Sequence, residues 1–260
     1  MQARHKDRNV YFEESATSCR NYYIPYIKEF VDTEFDENFN VLEIGCSISG
    51  NLAAFAALGC DVTGVDLYTP YLEMGKVFFE DRGLKGTFIN SDIFDYSNEG
   101  KLFDLLILHD VIEHIVDKEN LLLHLKKFLK EDGILYIGFP AWQMPFGGHH
   151  QMAKSKVLAN FPYLHLLPKR LFISVLKAFG EADGTINSLL EVRDAKISIE
   201  GFERLIEKTK YNIVNRRLYF INPHYHVKFG LKPRRLSPII RNILYLRNFF
   251  TTTCYYLLRK

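Results

Sequence analysis

The alternation of short apolar runs with helical patterns between residues 41 and 139 most constrains how this chain can fold. The apolar runs predict strands at 41–44, 61–66, 86–90, 103–108 and 134–139. The patterns between them predict helices at 51–58, 70–81 and 118–129. Such alternation builds a parallel sheet covered on both faces, and right-handed crossovers wind it doubly. Ligands bind such sheets beyond the carboxyl ends of the strands.

The segments on either side follow other patterns. The opening stretch to about Glu37 is predicted to be helical, with Pro25 in a first turn. Residues 140–197 are rich in aromatic residues, His and Gly and are not periodic. Regular structure returns with a helix at 199–209 and strands at 211–221 and 251–258.

Charge is distributed unevenly along the chain. The net charge is +2, yet no Asp or Glu follows Glu207, and twelve of the 33 Lys and Arg residues lie beyond it. A basic C-terminal part on an acidic body indicates an anionic substrate or an anionic surface. A solvated basic face explains the same pattern equally well. We find no nucleic-acid module and expect no nucleic-acid partner.

The ends and the cysteines indicate a cytoplasmic protein. The N-terminus has no apolar leader, and no apolar stretch is long enough to span a membrane. The four cysteines have neither zinc-ligand spacing nor the pattern of a disulfide framework. We therefore expect reduced thiols and interpret Cys46 as a small residue of a turn.

A glycine-bearing turn follows the first strand. Residues 43–50 read Glu-Ile-Gly-Cys-Ser-Ile-Ser-Gly, and a helix comes next. Small residues here let the backbone approach a ligand closely. Asp66 ends the second strand about 20 residues later, a spacing that suits a carboxylate on ribose hydroxyls. Together these features predict a ligand that contains a nucleoside.

Five runs resemble, in order, the motifs of class I S-adenosylmethionine-dependent methyltransferases. They are residues 41–46, 64–66, 90–93, 103–114 and 130–136. The fourth run is similar to the branch of ubiquinone-biosynthesis methyltransferases, and the C-terminal half resembles methyltransferases of surface-polysaccharide pathways. The resemblance covers residues 38–140 and returns at 198–221 and 251–259. Ser47 and Ser49 depart from the family, which usually has glycine there.

This resemblance implies a Rossmann-like α/β fold in a single domain, residues 1–260. We expect a doubly wound, mostly parallel seven-stranded sheet with an antiparallel C-terminal strand. The predicted parts are a helical cap (1–37), a cofactor-binding core (38–139), an inserted substrate lid (140–197) and the C-terminal part of the sheet (198–260). The last part includes a basic insertion at about 222–250.

The resemblance also implies roles for individual residues toward S-adenosylmethionine. Glu43 would hold the methionyl ammonium, and Asp66 the ribose diol. Asp92 would accept the adenine amino group, with Leu67 and Ile93 beside the ring. The remaining expected cofactor-binding residues are Gly45, Cys46, Ser47, Gly50, His109 and Asp110.

Histidines after the fifth strand are the candidates for chemistry. A hydroxyl or amine acceptor needs a base, and histidine is suited to that near neutral pH. We predict that His149 or His150 is the base or an acceptor anchor, with a merely stabilising role as the alternative. Asp110 and Glu113 fit a helix start or core packing better than metal ligands, so no metal is expected.

The leading hypothesis is methyl transfer to a small-molecule O- or N-nucleophile, such as an anionic sugar or a lipid-linked glycan. The alternatives are a degenerate family member without catalysis and a nicotinamide-dependent oxidoreductase. Residues 236–250 are predicted to form an amphipathic helix, which we interpret as a lid before a peripheral membrane contact. The oligomeric state is left open.

Overall fold

The computed structural model describes residues 7–260. Its N-terminal segment is helical. Helix α1 (Arg8–Ser18) continues through a π-helical turn (Cys19–Tyr23) into α2 (Ile24–Lys28). The Asp7 carboxylate caps α1 by accepting the backbone N–H groups of Asn9 and Val10. Pro25 lies in the first turn of α2, as predicted. Residues 1–6 of the predicted cap lie outside the described residues.

The alternation predicted for residues 41–139 is confirmed. In chain order the elements are β1 (Asn40–Ile44), α3 (Gly50–Ala56), β2 (Asp61–Asp66), α4 (Thr69–Glu80), β3 (Thr87–Asn90), β4 (Phe103–His109), α5 (Lys118–Leu125) and β5 (Leu129–Phe139). The predicted helix at 118–129 is too long, however. Leu129 is buried and pairs with Phe103, so residues 131–133 lie within β5 instead of closing a helix.

The rest of the chain combines short helices with the end of the sheet. Helices α6 (Lys156–Asn160), α7 (Lys169–Ala178) and α8 (Asp183–Asp194) precede α9 (Ile199–Lys208). Then follow β6 (Asn212–Ile221), α10 (His224–Phe229), β7 (Arg234–Arg235), α11 (Pro238–Arg241) and β8 (Thr253–Arg259). Short 3-10 turns occur at Ile112–His114, His150–Met152, Leu164–Leu166 and Leu246–Phe250.

The strands form one sheet in the order β3-β2-β1-β4-β5-β8-β6-β7. The first five are mutually parallel, and β8 runs antiparallel to both β5 and β6. The predicted seven-stranded sheet is therefore confirmed, with the two-residue β7 added at its edge. The strand order switches direction between β1 and β4, and doubly wound sheets bind ligands beyond the carboxyl ends of the strands at such a point.

Helices cover both faces of the sheet because neighbouring strand residues point in opposite directions. Leu106 and Leu108 belong to a core shared with α5 and α9. Leu105 and Ile107 belong to the other core, shared with α1, α3 and α4. Residues 153–190 form a third, smaller core of their own. Among the described residues, no helix is long and apolar enough to cross a bilayer.

The amphipathic helix predicted at 236–250 is wrong. Only α11 and the turn at Leu246–Phe250 are helical there. Tyr245 has a φ of 64°, which interrupts a right-handed helix. Its backbone N–H donates to Glu200, and Arg247 is bound by the same carboxylate. These long-range bonds determine the path of the chain where the apolar pattern alone indicated a helix.

Candidate active site

The turn after β1 is held in left-handed backbone conformations. Gly45, Ser47 and Ser49 have φ values of 70°, 51° and 63°. A Cβ on Gly45 would lie 2.5 Å from Cγ2 of Val111, so a larger residue would clash as well as be strained. The positions where the chain departs from the family's glycines are thus strained for serine, but the turn is still formed.

Glu43 lies directly beneath this turn, at the carboxyl end of β1. It is only 2% exposed, and burial raises its pKa to about 8. Asn51 Nδ2 donates to Glu43 Oε1 at 2.7 Å, whereas Oε2 has no hydrogen-bond partner within the described residues. Asn51 lies in the first turn of α3 and was missed by the sequence analysis. A buried carboxylate oxygen without a donor is a site for a cationic ligand group.

Asp66 connects the end of β2 to the turn by hydrogen bonds. Its Oδ2 accepts the N–H of Ser47 at 2.7 Å, and its Oδ1 accepts the N–H of Tyr68 at 2.8 Å. Each carboxylate oxygen keeps a further lone pair for a ligand. The neighbouring Leu67 is 71% exposed, an unusual position for a large apolar side chain.

Asp92 follows the next strand along the sheet, β3. Its Oδ1 accepts the N–H of Phe94 at 2.9 Å, which closes a local turn. The adjacent Ile93 is buried in the core below. The ends of β1, β2 and β3 are adjacent in the sheet, so Glu43, Asp66 and Asp92 follow one edge in that order.

Two residues of the turn serve packing. A Cβ on Gly50 would lie 2.6 Å from the carbonyl oxygen of Phe12, so this glycine lets α3 approach α1. Cys46 is buried against Gly64, and burial raises the pKa of its thiol far above the ordinary value. The thiol is therefore protonated at neutral pH, as a small packing residue would be and a nucleophile would not.

His109 ends β4 inside an aromatic cage. Its Nε2 lies 3.1 Å from the Tyr23 hydroxyl, and its Nδ1 lies 3.3 Å from that of Tyr136. A Cβ on Gly138 would meet the ring at 2.2 Å. Burial lowers the pKa of His109, while Asp110 opposes that shift. Tyr23 comes from the N-terminal helices, 86 residues away, and no sequence pattern connected it with His109.

Glu113, His114 and His149 form one small cluster. Ligand-type atoms of Glu113, His114 and His149 all lie within 4.8 Å of one another. Both carboxylate oxygens of Glu113 are buried without a hydrogen-bond partner within residues 7–260. Burial, then the nearby Asp110, raises the pKa of Glu113. Burial, then His114, lowers the pKa of His149 to about 4, so His149 is neutral at pH 7.

The predicted helix cap at this point is wrong. The residue before the 3-10 turn Ile112–His114 is Val111, and no side chain caps that turn. Asp110 has a φ of 54° and an exposed side chain, 3.6 Å from His109 Nε2. Its carboxylate therefore lies beside His109 instead of at a helix terminus.

His150 and His149 lie on different sides of the same loop. His150 is fully buried, its Nε2 lies 2.8 Å from the Phe161 carbonyl oxygen, and its ring stacks on His165 at 5.4 Å. His165 in turn bonds the Trp142 carbonyl oxygen at 2.6 Å. The structure therefore brings His149, and not His150, together with Glu113 and His114.

The fold and the order of these strand-end groups resemble those of class I S-adenosylmethionine-dependent methyltransferases. Residues 42–137 match the family model described as "Methyltransferase domain". This match and the sheet topology agree with the predicted fold class.

Curated relatives show the same resemblance over less than half of the chain. The ubiquinone biosynthesis O-methyltransferase of Rickettsia prowazekii is 31% identical over 117 residues, which is 44% of this chain and 46% of that protein. The enzyme of the same name from Bartonella tribocorum is 26% identical over 123 residues, 44% of this chain and 50% of its own length. The chain thus spans about half the length of the curated relatives it matches.

Solved structures share the fold over nearly the whole chain. An S-adenosylmethionine-dependent methyltransferase from Clostridium acetobutylicum superposes with a TM-score of 0.58 at 12% identity, covering 94% of this chain and 91% of its own. The plantazolicin methyltransferase bound to SAH gives 0.52 at 15% identity, covering 96% and 83%. At these identities the likeness shows the fold alone.

Proposed function

We propose that this protein transfers a methyl group from S-adenosylmethionine to a small-molecule acceptor. The observation that carries the proposal is the buried Glu43 oxygen without a donor, directly beneath a left-handed turn and beside Asp66. A methionyl ammonium would supply the missing donors and the opposite charge. The matches to methyltransferases over residues 42–137 support this.

The residues at the strand ends fit the parts of this cofactor. Glu43 would hold the ammonium, while Gly45, Cys46, Ser47 and Gly50 shape the turn beside the methionyl chain. The free lone pairs of Asp66 would bind the ribose hydroxyls. Asp92 would accept the adenine amino group, and the exposed Leu67 would cover the ring opposite Ile93. His109 and Asp110 would line the methyl end. When bound, the cofactor supplies an electrophilic methyl group on sulfonium sulfur.

On the acceptor side, we propose His149 as the base or anchor. It is neutral at pH 7 and can accept the proton of an acceptor hydroxyl or amine. The enclosing loop would also exclude water and fix the acceptor in line, which displacement chemistry requires. His150 bonds the Phe161 carbonyl oxygen and stacks on His165, so it would stabilise the proposed lid at 140–197.

Parallel calorimetric titrations with S-adenosylmethionine, S-adenosylhomocysteine and NAD test the cofactor. We expect micromolar binding of the first two and none of NAD. Because the pKa of free Glu43 is about 8, binding near pH 7 should release about one proton. Titration in two buffers of different ionisation enthalpy measures that proton, and Glu43→Gln should abolish its release. Binding of NAD alone would establish an oxidoreductase instead.

Turnover separates the enzyme from a degenerate cofactor binder. His149→Ala should leave cofactor affinity nearly unchanged and lower turnover by about 100-fold, the usual effect of losing a general base. His150→Ala serves as the matched neighbour and should act only through stability. Normal turnover by His149→Ala would remove this residue from catalysis. Cofactor binding without turnover on O- or N-nucleophiles, anionic sugars included, would favour the degenerate alternative.

A divalent cation at Glu113, His114 and His149 is the second candidate. Two imidazoles and one carboxylate are a donor set that zinc and similar ions accept, with a further position left for water or substrate. The unpartnered Glu113 oxygens fit that role, since a buried carboxylate needs a compensating charge. Such an ion would polarise an acceptor oxygen.

Titration with Zn²⁺, Mn²⁺ and Mg²⁺, followed by calorimetry and thermal unfolding, tests the cation. We expect Glu113→Gln to weaken binding by at least tenfold. The same variant keeps His149, so it distinguishes a metal ligand from a simple base. Equal turnover by wild type and Glu113→Gln in chelator would assign His149 to proton transfer alone.

A further inference from the structure

Residues 239–246, which we call the tip, expose an unusual run of apolar side chains. Ile239 is 76% exposed, Tyr245 64% and Leu244 59%, and Ile243 and Leu246 are also exposed. These side chains follow one another in the chain between the sheet edge and β8. Scattered apolar residues on a surface need no explanation, but a contiguous group marks a binding surface.

The base of the tip is fixed by buried polar contacts. Glu200 accepts the Tyr245 N–H at 2.8 Å, Arg247 Nε at 2.9 Å and Asn248 Nδ2 at 2.6 Å. Glu203 accepts Arg247 Nη2 at 2.6 Å, and Asn248 Oδ1 accepts the Ile199 N–H at 2.8 Å. Because the base is anchored in this way, the tip cannot collapse onto the apolar core without breaking a buried ion cluster.

Cations lie within and shortly before the tip in the sequence, and acidic residues are missing from this part of it. Arg234 and Arg235 lie on β7 at the sheet edge, and Lys232 and Arg241 are also exposed. Within residues 7–260, none of these four side chains lies in an ion pair. No Asp or Glu follows Glu207. The surface therefore combines apolar side chains with uncompensated positive charge.

We propose that the tip docks on the surface of an anionic phospholipid bilayer. The apolar side chains would enter the boundary between headgroups and acyl chains, and the four cations would contact the phosphates. A second copy of this chain fits the same surface poorly, because a two-fold interface would bring the arginines of both copies together. The chain just after the tip contacts the proposed lid, since the ring centroids of Phe249 and Tyr163 lie 6.3 Å apart and the Tyr163 N–H donates to the Pro145 carbonyl oxygen.

Vesicle flotation with the full chain tests this proposal. We expect binding to phosphatidylcholine vesicles that contain about 30% phosphatidylglycerol, much weaker binding to phosphatidylcholine alone, and loss of binding as NaCl rises from about 0.1 to about 0.5 M. Leu244→Ser/Tyr245→Ser should reduce binding more than tenfold, because both apolar anchors are removed. Arg235→Gln and Arg241→Gln should each reduce it about fivefold.

Matched changes at the opposite edge of the sheet are the controls. Val77 on α4 is 52% exposed, and Lys85 is exposed near β3. Val77→Ser and Lys85→Gln should bind vesicles like the wild type. All variants should keep the thermal midpoint and the cofactor affinity of the wild type, so the outcome is independent of the proposed activity.

Three results would overturn the proposal. The first is no binding of the wild type to anionic vesicles. The second is equal binding by Leu244→Ser/Tyr245→Ser. The third is a wild-type dimer in sedimentation that the same double variant converts to a monomer, because a second copy would then cover the tip.

Discussion

The two sides of the proposed active site are built by different kinds of contact. On the cofactor side, Glu43, Asp66 and Asp92 come from three adjacent strand ends within about 50 residues of chain. On the acceptor side, His149 meets His114 across a loop, and Tyr23 reaches His109 from 86 residues away. The parallel sheet by itself builds the first side, whereas the second side depends on how separate segments dock.

Because of this difference, backbone strain and stabilising contacts lie in different parts of the molecule. The cofactor turn carries left-handed serines and a buried acid with a raised pKa, local costs that a ligand can offset. The part of the chain that carries the proposed lid and the tip is held by side-chain networks between separate elements, such as Arg247 with Glu200 and Glu203 on α9. We therefore expect changes on the two sides to affect different measurements.

The largest expected effect is in the part of the chain that carries the proposed lid and the tip. Arg247→Met should lower the free energy of unfolding by about 3–5 kcal/mol, because it leaves the buried Glu200 without its cation. Urea denaturation measures this loss. Lys169→Met breaks a pair whose side chains are half exposed and should change stability by less than about 1 kcal/mol. Equal effects of the two changes would contradict a long-range anchor at Arg247.

Acid should also weaken the acceptor side. Burial lowers the pKa of His165 from 6.5 to about 4; the hydrogen bond to the Trp142 carbonyl oxygen opposes this shift, and His150, Arg193 and His149 add to it. Between these values the unfolded chain binds a proton that the folded chain does not. Stability should therefore fall as the pH drops from about 6.5 to about 4, by at most about 3 kcal/mol from this group. Denaturation at several pH values should show a smaller slope in His165→Gln, and an identical slope would contradict the assignment.

On the cofactor side, Asp66→Ala should reduce cofactor affinity by about 1–3 kcal/mol. The carboxylate holds the Ser47 and Tyr68 N–H groups and is placed to bind the ribose as well. Calorimetry on the folded variant measures this loss of cofactor affinity. Asp61→Ala, at the other end of the same strand, is the matched control and should bind normally. Unchanged affinity in folded Asp66→Ala would place the ribose elsewhere.

The smallest expected effect is a gain in the stability of the folded protein. Ser49→Gly should stabilise the protein by about 1 kcal/mol, because glycine adopts a φ of 63° without the cost that serine incurs. Gly45→Ala tests the same turn in the opposite direction and should be destabilising, since its Cβ would meet Val111. Thermal unfolding compares the two. A loss of stability in Ser49→Gly would mean that the serine side chain contributes more than its backbone strain costs.

Much of the fold could be predicted because burial repeats with a regular period. Strands β1 to β5 and the helices between them follow from apolar runs and their spacing, and parallel strands align their carboxyl ends. Helix boundaries were less certain, as at Leu125, because a buried tertiary pair begins β5 at Leu129. The helix expected at 236–250 failed for the same kind of reason, since Glu200 binds the backbone of Tyr245.

The sequence by itself determined the doubly wound sheet and the order of Glu43, Asp66 and Asp92 along one edge, because both depend on local periodicity and strand direction. Only the tertiary structure decided which of two adjacent histidines faces Glu113, and that the tip at 239–246 stays exposed. His149 has a left-handed φ of 55°, and the two adjacent side chains contact different segments, since His149 packs against His114 whereas His150 bonds the Phe161 carbonyl oxygen. Such contacts leave no period in the sequence, so its pattern did not distinguish the two histidines.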